Sequence, residues 1–139
     1  PGLVLDDTDA RLEGPWALSA AFTPHLGQGY HHDDQRADGQ CSAAFSFQIK
    51  QTARYDLRFA YSAHETRATN VPVTIETNGK KARLLLDQTI PPPDGEFLRS
   101  LAELDLKSGQ TVTITLTNKN TDGFVIVDGV QLLPLDAEK

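Results

Sequence analysis

Two polar stretches of the chain carry residue types suited to binding chemistry. The first begins at His64 and runs through Arg67-Ala68-Thr69-Asn70 into an apolar alternation. The second begins Thr121-Asp122-Gly123 and leads into a run of β-branched residues that contains Asp128. Each passes from a polar loop directly into a predicted strand, and loops held by a rigid scaffold are where binding residues concentrate. The pattern favours a binding module.

The residues that catalysis would need are not arranged for it. The chain has no Gly-x-Ser-x-Gly element to carry a serine nucleophile, and no pair of carboxylates stands out for glycoside hydrolysis. Its one cysteine, Cys41, has no His or Asp beside it in a nucleophile pattern, so we predict a small, partly buried apolar residue. His31 and His32 are adjacent on a predicted strand, where they point to opposite faces and rarely share a metal ion. We therefore predict that the chain is not an enzyme.

Strands with one apolar face must position the polar loops. Apolar and polar residues alternate with a period of two through most of the chain, as in strands that bury one face. The clearest runs cover residues 45 to 49, 55 to 61, 71 to 75 and 112 to 116. Residues 97 to 106 also fit this period, so we interpret them as a strand.

Turn signals separate these runs. Asn78-Gly79 predicts a tight hairpin, and the proline run that starts at Pro91 predicts a rigid connection between sheets. Residues 20 to 42 are rich in His, Gly, Asp and Gln, and we predict a long loop there with one short strand around residues 30 to 33. Many short strands with regular turns predict an all-β fold, a two-sheet antiparallel β-sandwich.

Composition narrows the possible partners. The chain has 139 residues and a net charge of -6. This length predicts one ordinary domain that spans residues 1–139. The negative charge argues against nucleic acid and against anionic membranes, and no apolar run approaches the ~20 residues of a membrane helix. The chain lacks Met and starts without a signal-peptide pattern, so we expect a domain excised from a larger protein. We also expect residues 136–139 to form a disordered tail.

A set of short motifs runs along nearly the whole chain. They are Val4-Leu5-Asp6-Asp7, Trp16, Gly29-Tyr30-His31-His32-Asp33, Arg67-Ala68-Thr69-Asn70-Val71-Pro72-Val73, and Asp122-Gly123-Phe124-Val125-Ile126-Val127-Asp128-Gly129-Val130. Together they resemble one family, the golvesin C-terminal-like domain, also called the xanthan-lyase-type domain. The most specific parts of the resemblance are the Arg-Ala-Thr-Asn element and the Asp-Gly-aromatic-Val element. The chain differs from the family pattern after Gly29, where His31, His32 and Asp33 stand in place of expected Tyr and Ser residues.

The resemblance implies a jelly-roll sandwich of the galactose-binding-like type, appended to larger secreted bacterial proteins. Those proteins include polysaccharide-degrading enzymes and FAD-dependent oxidoreductases. The implied role is binding of poly- or oligosaccharide, and the implied location is extracellular or periplasmic. The parent catalytic domain in the same chain is the implied protein partner.

Carboxylates near the two ends of the chain suggest a structural Ca²⁺. Asp6 and Asp7 lie near the start, and Asp128 lies in the last predicted strand. In similar jelly rolls the first and last strands are neighbours, and Ca²⁺ takes about six to eight oxygen ligands. Aspartates also serve as ordinary turn residues. The chain therefore binds either Ca²⁺ through these three residues or no cofactor.

Asp128 shares a predicted strand face with apolar residues, which suggests that its carboxylate is buried. A buried carboxylate must be paired or accept several hydrogen bonds. Arg67 is a suitable partner through a bidentate contact, and the backbone amides of residues 67 to 70 are the alternative. We predict a structural clasp between Arg67 and Asp128.

Sugar-binding modules stack apolar sugar faces on exposed aromatic rings and use polar side chains to bind hydroxyls. Trp16 either serves in this way or caps the core. A second reading of the whole chain is a docking domain that packs on its parent enzyme without binding glycan, and an exposed apolar patch would favour it. The predicted ligand-binding residues are Trp16, Tyr30, His31, His64, Arg67 and Asn70.

Overall fold

A computed structural model describes residues 3–6, 9–14, 16–19, 30–33, 38–61, 67–77, 79–90 and 98–135. These residues form strands, turns and short irregular segments. Within the described ranges there is no helix long and apolar enough to cross a membrane. The strands are β1 (Leu3–Asp6), β2 (Arg11–Glu13), β3 (Ala17–Ser19), β4 (Tyr30–His32), β5 (Asp38–Gln48), β6 (Ala53–Ala60), β7 (Val71–Thr77), β8 (Lys80–Leu86), β9 (Arg99–Leu106), β10 (Thr111–Lys119), β11 (Ile126–Val127) and β12 (Gly129–Pro134).

Two antiparallel sheets make up most of the fold. One has the strand order β1-β12-β6-β9 and the other the order β2-β5-β10-β7-β8. A small third sheet of order β11-β4-β3 lies beside them. The predicted two-sheet antiparallel β-sandwich is therefore confirmed, with the third sheet as an addition.

The core forms where the inner faces of the two large sheets meet. Along β5 the side chains of Phe45 and Phe47 are at most 4% exposed, whereas Ser46 between them and Gln48 after them are exposed. The strands β6, β7 and β10 alternate in a similar way, as the period of two predicts. Each large apolar side chain buried in this way stabilises the fold by roughly 1.5–3 kcal/mol, so the alternation fixes which face of each strand points inward.

Three connections cross between the large sheets at the same end of the sandwich. Residues 61–70 join β6 to β7, residues 87–98 join β8 to β9, and residues 120–128 join β10 to β12 through β11. The register places Ala60 opposite Gly129 and Phe59 opposite Arg99. The sandwich therefore gathers both polar stretches at one end, which we call the loop end.

Several local predictions are confirmed. The hairpin at residues 78 and 79 joins β7 to β8, and Gly79 takes a φ of 79°, which favours glycine. A strand occupies most of residues 97 to 106 as β9, and a short strand starts at Tyr30 as β4. The chain also passes from the five-stranded to the four-stranded sheet between β8 and β9, as the proline run predicts.

Other boundaries were wrong. The long loop predicted for residues 20 to 42 ends earlier, because β5 begins at Asp38 and pairs there with Lys119 of β10. The polar residues at this end of β5, and Gly39 at a φ of 75°, hide the strand pattern. Asp128 lies between β11 and β12 and not inside the last strand. The strands β2 and β3 are three residues long, too short for a period to be detected.

Candidate functional site

The two polar stretches cross each other at the loop end. Arg67 and Phe124 form an isolated parallel bridge, and the Ala68 amide donates to the Phe124 carbonyl at 2.8 Å. His32 of β4 adds an edge-to-face ring contact to Phe124, with 5.8 Å between the ring centroids. The crossing brings together the two segments that the sequence singles out for binding.

Polar side chains then tie the two loops together along their exposed sides. The Thr69 amide donates to Oδ1 of Asp122 at 2.7 Å, and the Thr69 hydroxyl donates to Oδ2. Asn70 donates from Nδ2 to the Asn120 carbonyl at 3.0 Å and accepts from the Asp122 amide at 3.1 Å. Asn120 has a φ of 57°, a conformation that Asn tolerates better than most residues. The side-chain amide group of Asn70 is therefore hydrogen-bonded to the neighbouring loop and helps to fix its shape.

The contact with Thr69 also sets the charge state of this surface. Hydrogen bonds from the Thr69 hydroxyl and amide lower the pKa of Asp122 below its ordinary value of 3.8. Donors that favour the charged form of a carboxylate have this effect. Asp122 is therefore ionised at neutral pH and presents a fixed negative charge beside the loop crossing.

A buried glutamine links the crossing to the connection between β8 and β9. Gln88 is 1% exposed, and its side chain pairs with the backbone of Ile126, donating to the carbonyl and accepting from the amide at 2.8 Å each. Its own backbone amide donates to the Ala68 carbonyl at 2.9 Å. Gln88 thus acts as a short piece of strand that satisfies backbone groups of both crossing loops.

A buried carboxylate fixes the start of the second loop. Asp33 is fully buried and accepts from the Val125 amide at 2.9 Å and from Nδ2 of Asn118 at 3.0 Å. Asn118 in turn accepts from the Cys41 amide at 3.1 Å. Because a buried carboxylate is costly without donors, these contacts hold β4 and the end of β10 in fixed positions.

Tyr61 and Arg99 hold the start of the connection between β8 and β9. The buried Tyr61 hydroxyl donates to the Ile90 carbonyl at 2.5 Å, and Arg99 donates to the Asp87 carbonyl at 2.8 Å. Burial raises the pKa of Tyr61 above its ordinary value of 10.0, and the nearby Arg99 opposes this in part. The hydroxyl therefore stays protonated at neutral pH and can keep donating.

Arg67 and Asp128 are both buried, at 5% and 1% exposure. The predicted burial of Asp128 is therefore confirmed. Both residues take part in polar contacts of the fold, in keeping with the rule that buried charges have partners. The specific pairing of the two remains a prediction. A side chain as buried as Arg67 can shape a surface, but it offers little of itself to a ligand.

A family model, the Golvesin C-terminal domain, matches residues 3–134. The chain belongs to this family. A curated relative, the xanthan lyase of Bacillus sp. (strain GL1), is 24% identical over an alignment of 139 positions that covers 96% of this chain and 15% of that protein. The chain thus spans about a seventh of the relative that it matches.

Solved structures share the golvesin-type fold. Paenibacillus xanthan lyase superposes with a TM-score of 0.83 at 27% identity, over 95% of this chain and 13% of that one. A carbohydrate-binding module, Xyl-CBM35 in complex with a glucuronic-acid-containing disaccharide, has a TM-score of 0.64 at 17% identity. It matches 94% of this chain and 92% of its own. These likenesses confirm the jelly-roll sandwich and show that carbohydrate-binding modules have this architecture.

The predicted ligand-binding residues of this golvesin-type domain differ in their surroundings. His31 is half-buried in β4, in register with Val127, and Tyr30 begins the same strand. Trp16 packs against the core and donates from Nε1 to the Ser42 carbonyl at 3.0 Å, as expected for a residue that caps the core. His64 lies outside the described residues. The structure therefore gathers Arg67 and Asn70 at the crossing.

The predicted calcium site is placed only in part. The first and last strands are antiparallel neighbours, as expected, and Asp6 lies opposite Gly129, one residue from Asp128. Asp7 and the side chain of Asp6 lie outside the described residues. Among the part of the chain that is described, no three His, Cys, Asp or Glu side chains gather as a metal site would require. Calcium binding by Asp6, Asp7 and Asp128 thus remains a prediction.

Sequence reasoning missed most residues that build the crossing. Asp122 belongs to a motif that was noted, but its contact with Thr69 needs the three-dimensional crossing. Gln88 has no sequence signal, since an isolated glutamine beside a predicted turn is expected on the surface.

Proposed function

We propose that this chain is a carbohydrate-binding accessory module without catalytic activity of its own. We infer that it belongs to a larger polysaccharide-acting protein of a secreted bacterial type, outside the cytoplasm. The observation that carries the proposal is the loop end itself, where two polar loops are locked together by Gln88, Asn70 and Asp122. Loops fixed in advance lose little conformational freedom on binding, which favours affinity for flexible polar ligands such as glycans.

The glycan would bind on the exposed side of this crossing. Tyr30, His31 and His64 would supply an aromatic ring and polar groups, while Arg67 and Asn70 would keep the loops in place. Trp16 would complete the surface beside β4. Because one carbohydrate-binding module with this fold is in complex with a glucuronic-acid-containing disaccharide, uronic-acid-containing oligosaccharides are the first ligands to test.

Two features support an accessory role within a larger protein. The related xanthan lyase is several times longer than this chain, and one segment of that lyase matches the chain. A docking domain without glycan binding would need an exposed apolar patch. Among the described residues, large exposed apolar side chains are few and lie on separate elements, namely Val4 in β1, Leu85 in β8 and Ile90 after β8. The described surface therefore favours glycan binding over docking.

The test is a binding measurement on a panel of neutral and acidic polysaccharides and oligosaccharides, by isothermal titration calorimetry. Tyr30→Ala and His31→Ala should each weaken binding of the best ligand about tenfold, the size of a lost stacking or hydrogen-bonding contact. Gln48→Ala, at the far end of β5, is the matched control and should leave the affinity unchanged. A domain that binds no member of the panel, or whose affinity responds equally to all three changes, would refute the proposal.

A further inference from the structure

A groove of about 810 Å³ opens on the outer face of the five-stranded sheet, next to the loop end. It crosses the ends of β7, β8 and β10 and reaches Asn120 at the loop crossing. Its floor includes Pro72 and Leu85, which lie directly opposite each other on β7 and β8. Leu85 is 65% exposed, and Arg83 lies two residues earlier on the same face of β8. The groove therefore offers an apolar strip that is continuous with the proposed sugar site.

Two cations line the groove in a protein of net charge -6. Arg83 lies opposite Thr74 on the neighbouring strand, and Lys119 ends β10. Both are exposed, and neither forms an ion pair with another described side chain. Arg83 and Lys119 therefore present two exposed positive charges to an anionic ligand. The hydroxyls of Thr74 and Thr117 complete the lining.

The register separates the two cations both along and across the sheet. It puts Thr115 opposite Thr74 and Thr74 opposite Arg83, and Lys119 lies four residues beyond Thr115 on β10. Strand spacings then place the Cα atoms of Arg83 and Lys119 about 16 Å apart. Strand side chains stand roughly perpendicular to the sheet, and in that orientation a ligand that pairs with both cations is longer than a single sugar ring and carries charge at separate points.

We propose that this groove is a second subsite that binds an extended anionic glycan with carboxylates on separate sugars. The inference rests on the proposed glycan binding at the loop end and extends that site along the sheet. Arg83 forms a bidentate contact with one carboxylate, which suits its planar guanidinium. Lys119 binds a second carboxylate, Leu85 and Pro72 contact an apolar sugar face, and the threonines bind hydroxyls. None of the described residues that line the groove is aromatic, so charge carries the selectivity.

The experiment uses the 139-residue chain and an oligoglucuronate of at least four sugars. Its carboxyl-reduced counterpart, in which each glucuronate becomes glucose, is the matched neutral ligand. The variants are Arg83→Gln with Lys119→Gln, and separately Leu85→Ser. The matched control is Lys50→Gln, which removes the same exposed charge at the far end of β5. Calorimetry at two salt concentrations measures affinity, and circular dichroism checks the fold of each variant.

The expected result is a loss of about tenfold to thirtyfold in affinity for the oligoglucuronate in the double variant, and a smaller loss for Leu85→Ser. Binding of the acidic ligand should weaken with salt, because exposed charge contacts are screened. Lys50→Gln should bind like the unchanged chain. The carboxyl-reduced ligand should bind the double variant and the unchanged chain equally well. If the acidic ligand binds equally well to the double variant, the groove inference is overturned while glycan binding at the loop end stands. If neither ligand binds the unchanged chain, the groove inference is overturned, and the wider glycan panel decides the proposal for the loop end.

Discussion

Gln88 is the residue whose loss should disturb the loop end most clearly. Gln88→Ala removes both side-chain contacts with Ile126 and leaves a buried backbone amide and a buried carbonyl without partners. Each unsatisfied buried group costs about 1–3 kcal/mol, and the removed side-chain volume leaves a void. We therefore expect a loss of about 3–5 kcal/mol in the free energy of unfolding, a large part of the ~5–15 kcal/mol that domains have.

Urea denaturation followed by tryptophan fluorescence measures this loss. With a slope of about 1.5 kcal/mol per molar urea, typical for a domain of this size, the midpoint should fall by about 2–3 M. Gln48→Ala is the control, because Gln48 is exposed and, among the described residues, its side chain bonds only to the Thr111 hydroxyl. It should shift the midpoint by less than about 0.5 M. Equal small shifts for the two variants would show that the contacts of Gln88 with Ile126 do not stabilise the fold as we infer.

Gln88→Glu separates hydrogen bonding from packing, because it keeps the side-chain volume. The new carboxylate would face the Ile126 carbonyl, which now accepts from Nε2 of Gln88 at 2.8 Å. Burial disfavours the charged form, so the pKa of the new carboxyl should lie above its unfolded value. The folded state then binds the extra proton, and stability should recover as the pH falls. A variant with the same loss at pH 4 and pH 7 would contradict this reasoning.

Three further predictions follow from the loop end and the chain termini. Because hydrogen bonds lower the pKa of Asp122 below 3.8, the stability that its charged form contributes should be present above pH 3.8 and lost as the pH falls through the folded-state pKa. An NMR titration should show a low pKa for Asp122 that rises in Thr69→Val, and an unchanged pKa in that variant would contradict the contact. Asp128→Ala should lower the free energy of unfolding by about 3–5 kcal/mol, because it leaves buried partners unpaired, whereas Asp105→Ala at an exposed site should cost less than about 0.5 kcal/mol; equal denaturation midpoints would show that Asp128 is dispensable. If Ca²⁺ binds the folded chain through Asp6, Asp7 and Asp128, millimolar calcium should raise the melting temperature and EDTA should lower it, and an identical melting temperature in both would remove the calcium hypothesis.

The sheet architecture was predictable from the sequence because it depends on a repeated local signal. The spacing of apolar residues such as Phe45 and Phe47 is enough to predict which face of the strand is buried. The hairpin at Gly79 was equally clear, because the chemistry of a two-residue turn is local. Segments that lack such a signal were placed less well, as the polar start of β5 at Asp38 shows.

The loop end was predictable as a location but not as a structure. The motifs around Arg67 and Asp122 marked the right segments, yet their contacts join residues 53 positions apart. The side chain of Asn70 is bonded to the neighbouring loop, a contact that the sequence did not indicate, and its predicted contact with a ligand remains a prediction. Gln88 and Asp33 show the limit most plainly, because a buried polar residue is defined by partners that only the fold brings near.

Glycan binding at the loop end is tested most directly by mapping the contact surface in solution. Amide chemical shifts of the isotope-labelled chain would be followed by NMR during titration with the tightest-binding oligosaccharide of the panel. The account predicts that the perturbed amides cluster at Tyr30–His32, at residues 67–70 and at residues 120–124, while the far end of the sandwich around Gln48 and Thr111 stays unchanged. Perturbations centred at that far end, or none with any glycan, would contradict it.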